Sequence, residues 1–320
     1  MGIHRREASV ASAIVALALI LAIAAPGYFS AANLSDVFLA NLPVLLIAVG
    51  MTLVVVVGEI DISVGSTFAI CGVAAGILAK AGMPMLLACA AACLLGALAG
   101  SLNGALVAYV GVPSIVVTLA TMTAWRDGLR WATQGAWVQD LPRTFQWLGL
   151  AQGQFPLVAA AVTVVLTAAF AWGLRHVAAG RAVYATGSNL DAARLAGLNA
   201  SAVKWLVFTI LGTLTGLAAV LNAVRFNQIP SNAGIGLEMK VIAAVVVGGA
   251  SVAGGTGNLM GTVLGVVLLA AIGPALTFLG VSAYWERAIQ GVIILVAIAA
   301  DGRRHPVYRR VVGVVAGARA

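Results

Sequence analysis

The chain is predicted to be an all-α polytopic membrane protein, and three observations carry that prediction. Hydrophobic residues make up 62% of the 320 positions and charged residues 9%, and the mean hydropathy is +1.06, well outside the range of soluble domains. The apolar residues form successive runs of spanning or near-spanning length. Inside those runs glycine recurs at every fourth position, as in Gly72/Gly76, Gly96/Gly100/Gly104, Gly212/Gly216 and Gly257/Gly261/Gly265. That spacing puts small residues on one helix face, where backbones can approach closely although no hydrophobic force holds helices together in lipid.

The runs lie at about 10–29, 37–57, 63–79, 85–110, 113–130, 156–174, 204–223, 239–250, 258–279 and 284–300. They predict about ten crossings, or eight if the short or polar-interrupted runs at 63–79, 113–130 and 239–250 are broken or re-entrant. The first, Val10 to Ala25, has the basic start and small-residue end of a cleavable signal peptide, but its spanning length and the spans behind it favour a retained helix. The expected organisation is a cytoplasmic tail at 1–9, one transmembrane domain over 10–300 with a polar loop at 175–203, and a basic cytoplasmic tail at 301–320. No soluble catalytic domain fits in the remaining loops.

A formal charge of +8 could point to nucleic acid, but the basic residues flank apolar spans instead of lining one face. Arg5 and Arg6 precede the first run, Arg175, Arg181, Arg194 and Lys204 punctuate the central loop, and Arg303, Arg304, Arg309, Arg310 and Arg319 follow the last run. By the positive-inside rule all three regions, and so both termini, are expected in the cytoplasm. Cys71, Cys89 and Cys93 lie in apolar segments with no histidine nearby, and His4, His176 and His305 lie in basic stretches at membrane edges. Neither a disulfide framework, a metal site nor a cofactor is expected.

Four polar stretches interrupt the pattern. At Gly50 to Ser66 an apolar helix runs into Glu59 and Asp61, and a carboxylate near hydrocarbon requires a water-filled path, a buried partner or a helix break. Asp61, just ahead of Ser63-Val-Gly-Ser66, is placed to accept hydrogen bonds at the start of the next helix. Between Gly180 and Asn199, Ser188 or Asn189 can cap a short helix with Asp191 at its N-terminal end and Ala192, Ala193, Leu195 and Ala196 on a small apolar face. Such a segment is either a connecting loop or an element small enough to seat in a partner's groove. Gln228 to Lys240 reads as a loop leading into a span, with Glu238 and Lys240 at the interface. Gly248 to Gly257 has no lysine followed by serine or threonine, so it is read as an interhelical turn and not a phosphate loop. The breaks at Gly58–Ser66 and Gly248–Asn258 are each followed by a glycine-rich helix, which hints at two halves related as inverted repeats.

These stretches also carry a resemblance. Gly50-Met-Thr leading to Gly58-Glu-Ile-Asp-Ile-Ser-Val-Gly65 resembles the signature of the ribose-type permeases, the membrane subunits of ATP-binding-cassette sugar importers. Their pattern reads Gly-Gly-Ile-Asp-Leu-Ser-Val-Gly, so Glu59 stands where the second glycine is usual. Gly248-Gly-Ala-Ser-Val-Ala-Gly-Gly-Thr-Gly257 is similar to a family run in the same part of the chain, and Gly234-x-Gly236-x-Glu238 to another, with Met239 at a leucine position. The resemblance extends from about residue 40 to 301, and Trp125-Arg-Asp-Gly128, Gly135-Ala-Trp137, Leu141-Pro142 and Gly236 to Lys240 look more like rhamnose or autoinducer-2 permeases.

The resemblance implies a bacterial inner-membrane subunit with separate ATPase subunits, a periplasmic or tethered sugar-binding protein, a second permease that is a copy or a paralogue, and surrounding lipid. It implies no catalytic group and no nucleic acid. It makes Gly187, Asn189, Ala192, Ala193, Arg194 and Gly197 the ATPase-coupling positions, and Glu238 part of the translocation route. An uncharged sugar needs hydroxyl and amide partners, for which Ser63, Asn103, Thr118 and Thr121 are candidates beside the break residues Glu59 and Asp61; polar side chains in spans also serve as packing hydrogen bonds. The rival reading is a proton-coupled secondary transporter that titrates Glu59 and Asp61. An intramembrane enzyme lacks its zinc, Gly-x-Ser-x-Gly or paired-aspartate motif.

Overall fold

The computed structural model describes residues 2–302 apart from 283, so all but the first two residues of the basic 301–320 tail lie outside it. The described chain folds into twelve α-helices: α1 (Gly2–Ala24), α2 (Ala31–Val56), α3 (Val64–Lys80), α4 (Met85–Ala105), α5 (Ser114–Thr133), α6 (Phe155–His176), α7 (Ala178–Ser188), α8 (Leu190–Leu195), α9 (Ala200–Ala223), α10 (Leu237–Val247), α11 (Leu259–Phe278) and α12 (Trp285–Gly302). Each of the ten apolar runs is helical, and α7 and α8 form within the central polar loop. Among the described residues six helices, α1, α2, α4, α6, α9 and α11, are long and apolar enough to cross a membrane. The only β pairing there is an isolated bridge between Val138 and Ile229.

Helix α2 is the centre of the bundle. Its sequence is largely apolar, and 83% of its spanning segment is buried within the chain against 11% for α1 and 17% for α6, which lie on the outside of the bundle. Around it the glycine repeats act as contact faces. A Cβ at Gly96 would overlap the Gly212 carbonyl, one at Gly100 the Phe208 carbonyl and one at Gly216 the Ala92 carbonyl, so α4 and α9 pack backbone to backbone. Gly248, Gly261 and Gly265 do the same for α10 and α11.

Two helices are irregular. Helix α10 has 11 residues, about 16 Å at 1.5 Å per residue, half of what the hydrocarbon requires. The non-helical segment 224–236 ahead of it runs along α3: Ile229 lies against Gly76 and Gly72, and Gly234 against Gly65. Helix α4 ends in a π turn at Leu106–Val110 that closes on the left-handed Gly111. At one end of the bundle α7 meets the 57–63 break and the 248–258 turn, with α8 against α7 and α9. At the other, Lys80 bonds to the Gln139 carbonyl at 3.1 Å, marking the loop between α5 and α6.

Candidate functional site

The two polar breaks read from the sequence come together at the α7 end. The N–H of Gly255 donates to the carbonyl of Val56 at 2.8 Å, the last residue of α2, and Gly254 packs on Gly58, both with left-handed φ near +85°. Gly187, in the last turn of α7, is wedged onto this junction, with room for no side chain. One turn earlier the Tyr184 hydroxyl donates to the Gly257 carbonyl at 2.8 Å. Burial pushes the Tyr184 phenol above its ordinary pKa, with the Arg175 charge opposing, so it serves as a neutral donor. α7 is thereby tied to both breaks at once.

Helix α8 projects from this clamp. Asn189 caps it by accepting the Ala192 N–H at 2.9 Å, Asp191 and Arg194 sit at the ends that suit their charges, and Gly197 at φ +81° ends the turn. Among the six coupling candidates, Asn189, Ala192, Arg194 and Gly197 are exposed, while Ala193 is 4% exposed and Gly187 is packed internally. Leu195, which was read only as part of an apolar face, is 90% exposed.

Glu59 and Asp61 have different surroundings although two residues apart. Glu59 forms an ion pair with Lys204 in the second turn of α9, the two side chains 13% and 18% exposed. Breaking a largely buried pair from one side leaves an uncompensated charge, which costs about 3 kcal/mol, whereas removing both charges costs less. Glu59→Gln and Lys204→Met should each lower the thermal stability of the purified chain clearly, and the double replacement should recover at least half of the summed loss. Additive losses in that cycle would show that the pair carries no coupling.

Asp61 is 3% exposed and sits among donors. Its Oδ1 accepts the Ser63 N–H at 2.8 Å and the Ser63 hydroxyl at 2.6 Å, and its Oδ2 accepts Asn103 Nδ2 at 3.3 Å; Asn103 also donates to Ser63 Oγ at 2.9 Å. The break is further held by the Ile60 N–H donating to Ser114 Oγ at 3.3 Å. Thr118 and Thr121 lie in α5, their hydroxyls bonded back to Ser114 and Val117 carbonyls at 2.8 and 3.1 Å. They are not brought into the Asp61 group by any hydrogen bond.

Glu238 opens α10. Its Oε1 accepts the Gly236 N–H at 3.1 Å, and its Oε2 is buried against Gly65 with no hydrogen bond among the described residues. A side chain at Gly65 would overlap both Glu238 and the Gly234 carbonyl, so the Ile-Asp-Ile-Ser-Val-Gly65 stretch and the Gly234-x-Gly-x-Glu238 stretch are docked on one another. Arg126 of α5 fixes that contact by donating to the Ala233 carbonyl at 2.6 Å. Sequence reading missed Lys204 and Arg126 as structural partners; the signal was a cation inside or at the edge of an apolar run, which requires a buried acceptor.

A family profile described as "Branched-chain amino acid transport system / permease component" matches residues 33–298. The chain belongs to this permease family. Its relatives include the autoinducer 2 import system permease protein LsrC of Escherichia coli (strain K12 / DH10B), 38% identical over 90% of this chain and 85% of the relative. LsrC of Salmonella typhi is 38% identical over 94% and 86%, and LsrC of Escherichia coli O9:H4 (strain HS) is 39% identical over 90% and 85%. No solved structure matches the chain. The permease is thus a transport subunit of an ATP-binding-cassette importer, a multi-pass membrane protein that works with ATPase and substrate-binding partners. The proton-coupled reading is not favoured, and Glu59 has an internal counter-ion in Lys204.

Proposed function

We propose that the permease forms the translocation pathway for a small, uncharged, sugar-like solute such as autoinducer-2, rhamnose or ribose, in a bacterial inner membrane and beside a second permease subunit. The LsrC relatives are named for autoinducer 2 import, and the Trp125 to Gly128 and Gly236 to Lys240 stretches support the same substrate group. The α7–α8 end is assigned to the cytoplasm, because Arg175, Arg181, Arg194 and Lys204 crowd there. Both termini then also lie inside, with 10–300 as the single transmembrane domain.

The observation that carries the coupling role is α8 itself: a capped helix with Leu195 90% exposed, standing on a clamp that ends at α2 and at both breaks. An exposed leucine beside Ala192 and Arg194 suits a groove on an ATPase, and a push on α8 would reach the pathway through Gly187 and Tyr184. Nucleotide-driven motion of the ATPases would then alternate the pathway between its two openings.

The test is uptake of labelled autoinducer-2, rhamnose and ribose by proteoliposomes carrying the permease with its ATPase and binding protein. Leu195→Glu is expected to cut ATP-driven uptake at least about tenfold, the effect of losing one central apolar anchor, while leaving the chain inserted and its melting temperature unchanged. Undiminished uptake by that variant, or uptake by the permease alone under a proton gradient, would overturn the reading.

A further inference from the structure

At the end of the bundle opposite α7, a cavity of about 350 Å³ opens between α3, the end of α9 and the segment that descends to α10. Its lining includes Phe68, Trp137, Asn222, Phe226, Asn227 and Gln228, none of which was among the site candidates. Three features distinguish it from a gap between loops.

The first is its chemistry. Two half-exposed aromatic residues, Trp137 and Phe226, and three residues with side-chain amides line it, and no ionisable residue does. An amide offers both donors and an acceptor, as a sugar hydroxyl does, and an apolar ring face suits the C–H side of a sugar. Among the described residues, none of the three amide side chains has a hydrogen-bond partner. No ionisable residue among the lining offers a direct counter-charge to an ionic ligand.

The second is rigidity. The two loops that build the cavity are joined by backbone bonds in both directions between Val138 and Ile229, at 3.0 and 2.9 Å. Ser231 Oγ donates to the Gly135 carbonyl at 3.1 Å, the Trp147 N–H donates to the Val224 carbonyl at 2.8 Å, and Arg225 lies 5.7 Å over the Phe226 ring. A lining held this way loses little freedom on binding. The third is size: the volume is at the lower end of the ~300–1,000 Å³ typical of small-molecule sites, fitting a single-ring solute.

We infer that the permease has a substrate subsite of its own here, where Trp137 and Phe226 flank an uncharged polyhydroxylated ring and Asn222, Asn227 and Gln228 bond its hydroxyls as it leaves the binding protein. This rests on the reading of the transported solute as neutral and sugar-like. Contact ahead of the pathway makes delivery productive: a solute released from the binding protein is held at the mouth instead of returning to solution.

The experiment uses the permease assembled with its ATPase in lipid nanodiscs, without binding protein, and equilibrium dialysis against labelled ribose, rhamnose and autoinducer-2. Wild type is expected to retain at least one of the three. Trp137→Ala and Gln228→Ala should each weaken that binding about tenfold, one good contact's worth, Trp137→Phe should keep most of it, and Trp131→Ala, on the neighbouring exposed turn, should leave it unchanged. The same variants are then assayed for uptake in the complete importer. If the wild-type importer takes up one of these solutes but Trp137→Ala and Gln228→Ala bind and import it as wild type does, the subsite is wrong and the transport reading stands. If the wild-type importer takes up none of the three and carries an ionic solute instead, the transport reading fails and the subsite assignment falls with it.

Discussion

Gly187→Ala is expected to abolish ATP-driven uptake and to destabilise the purified permease by ~3 kcal/mol or more, the upper range for forced overpacking. The methyl group would overlap the carbonyl oxygen of Val56 and come within 2.7 Å of the Gly255 nitrogen. Those two atoms are hydrogen-bonded to each other at 2.8 Å, so the substitution drives a carbon between the partners of a main-chain bond. Neither partner is a side chain that can rotate away. Gly197→Ala is the informative contrast, because a Cβ there meets nothing within 4 Å and the only penalty is its φ of +81°, worth about 1 kcal/mol. Thermal melting followed by size-exclusion chromatography, together with uptake, checks the pair. Wild-type melting and transport by Gly187→Ala would mean that α7 does not seat on α2 and the breaks as described.

The second large effect is at Asp61. Asp61→Leu should leave the Ser63 N–H, the Ser63 hydroxyl and the Asn103 amide without their common acceptor in a buried site, at ~1–3 kcal/mol for each stranded group. Misassembly and loss of transport are expected. Asp61→Asn should retain most transport. Its oxygen can still accept from Ser63, and its new N–H₂ can donate to Asn103 Oδ1, which is buried with no partner among the described residues, once that amide turns over. The proton-coupled alternative makes the opposite forecast, since asparagine cannot carry a proton: both variants would assemble, both would lose transport, and proton dependence would vanish. Uptake and assembly measured side by side for the two substitutions decide between a carboxylate that holds the break by hydrogen bonds and a titrating one.

The ten helical runs were legible because a membrane segment announces itself by hydropathy, and every run from 10–29 to 284–300 is helical. The glycine repeats at Gly96–Gly104 and Gly212–Gly216 were legible as contact faces, but not as faces of each other; two repeats on separate helices carry no label of their partner. The short helix in the central loop could be read down to the choice between Ser188 and Asn189 as its cap, because capping is a local hydrogen bond within three residues. Its orientation could not. Ala193 turns inward and Leu195 outward because α8 lies against α7 and α9, neighbours that capping does not specify.

What the sequence determined alone was therefore what transfer into lipid and neighbours along the chain govern: the class, the apolar runs, the polar breaks and the family signature. What only the tertiary structure decided was which distant groups meet. Lys204 neutralises Glu59 across 145 positions, Gly65 makes room for Glu238, Gly187 joins both polar breaks, and Trp137 and Gln228 share one cavity. The physical reason is that a buried charge or a bare glycine backbone demands a partner without specifying where in the chain it lies. In a bundle whose helices are all apolar, hydropathy cannot rank one pairing above another, so close backbone fit and the satisfaction of a few polar groups make the choice.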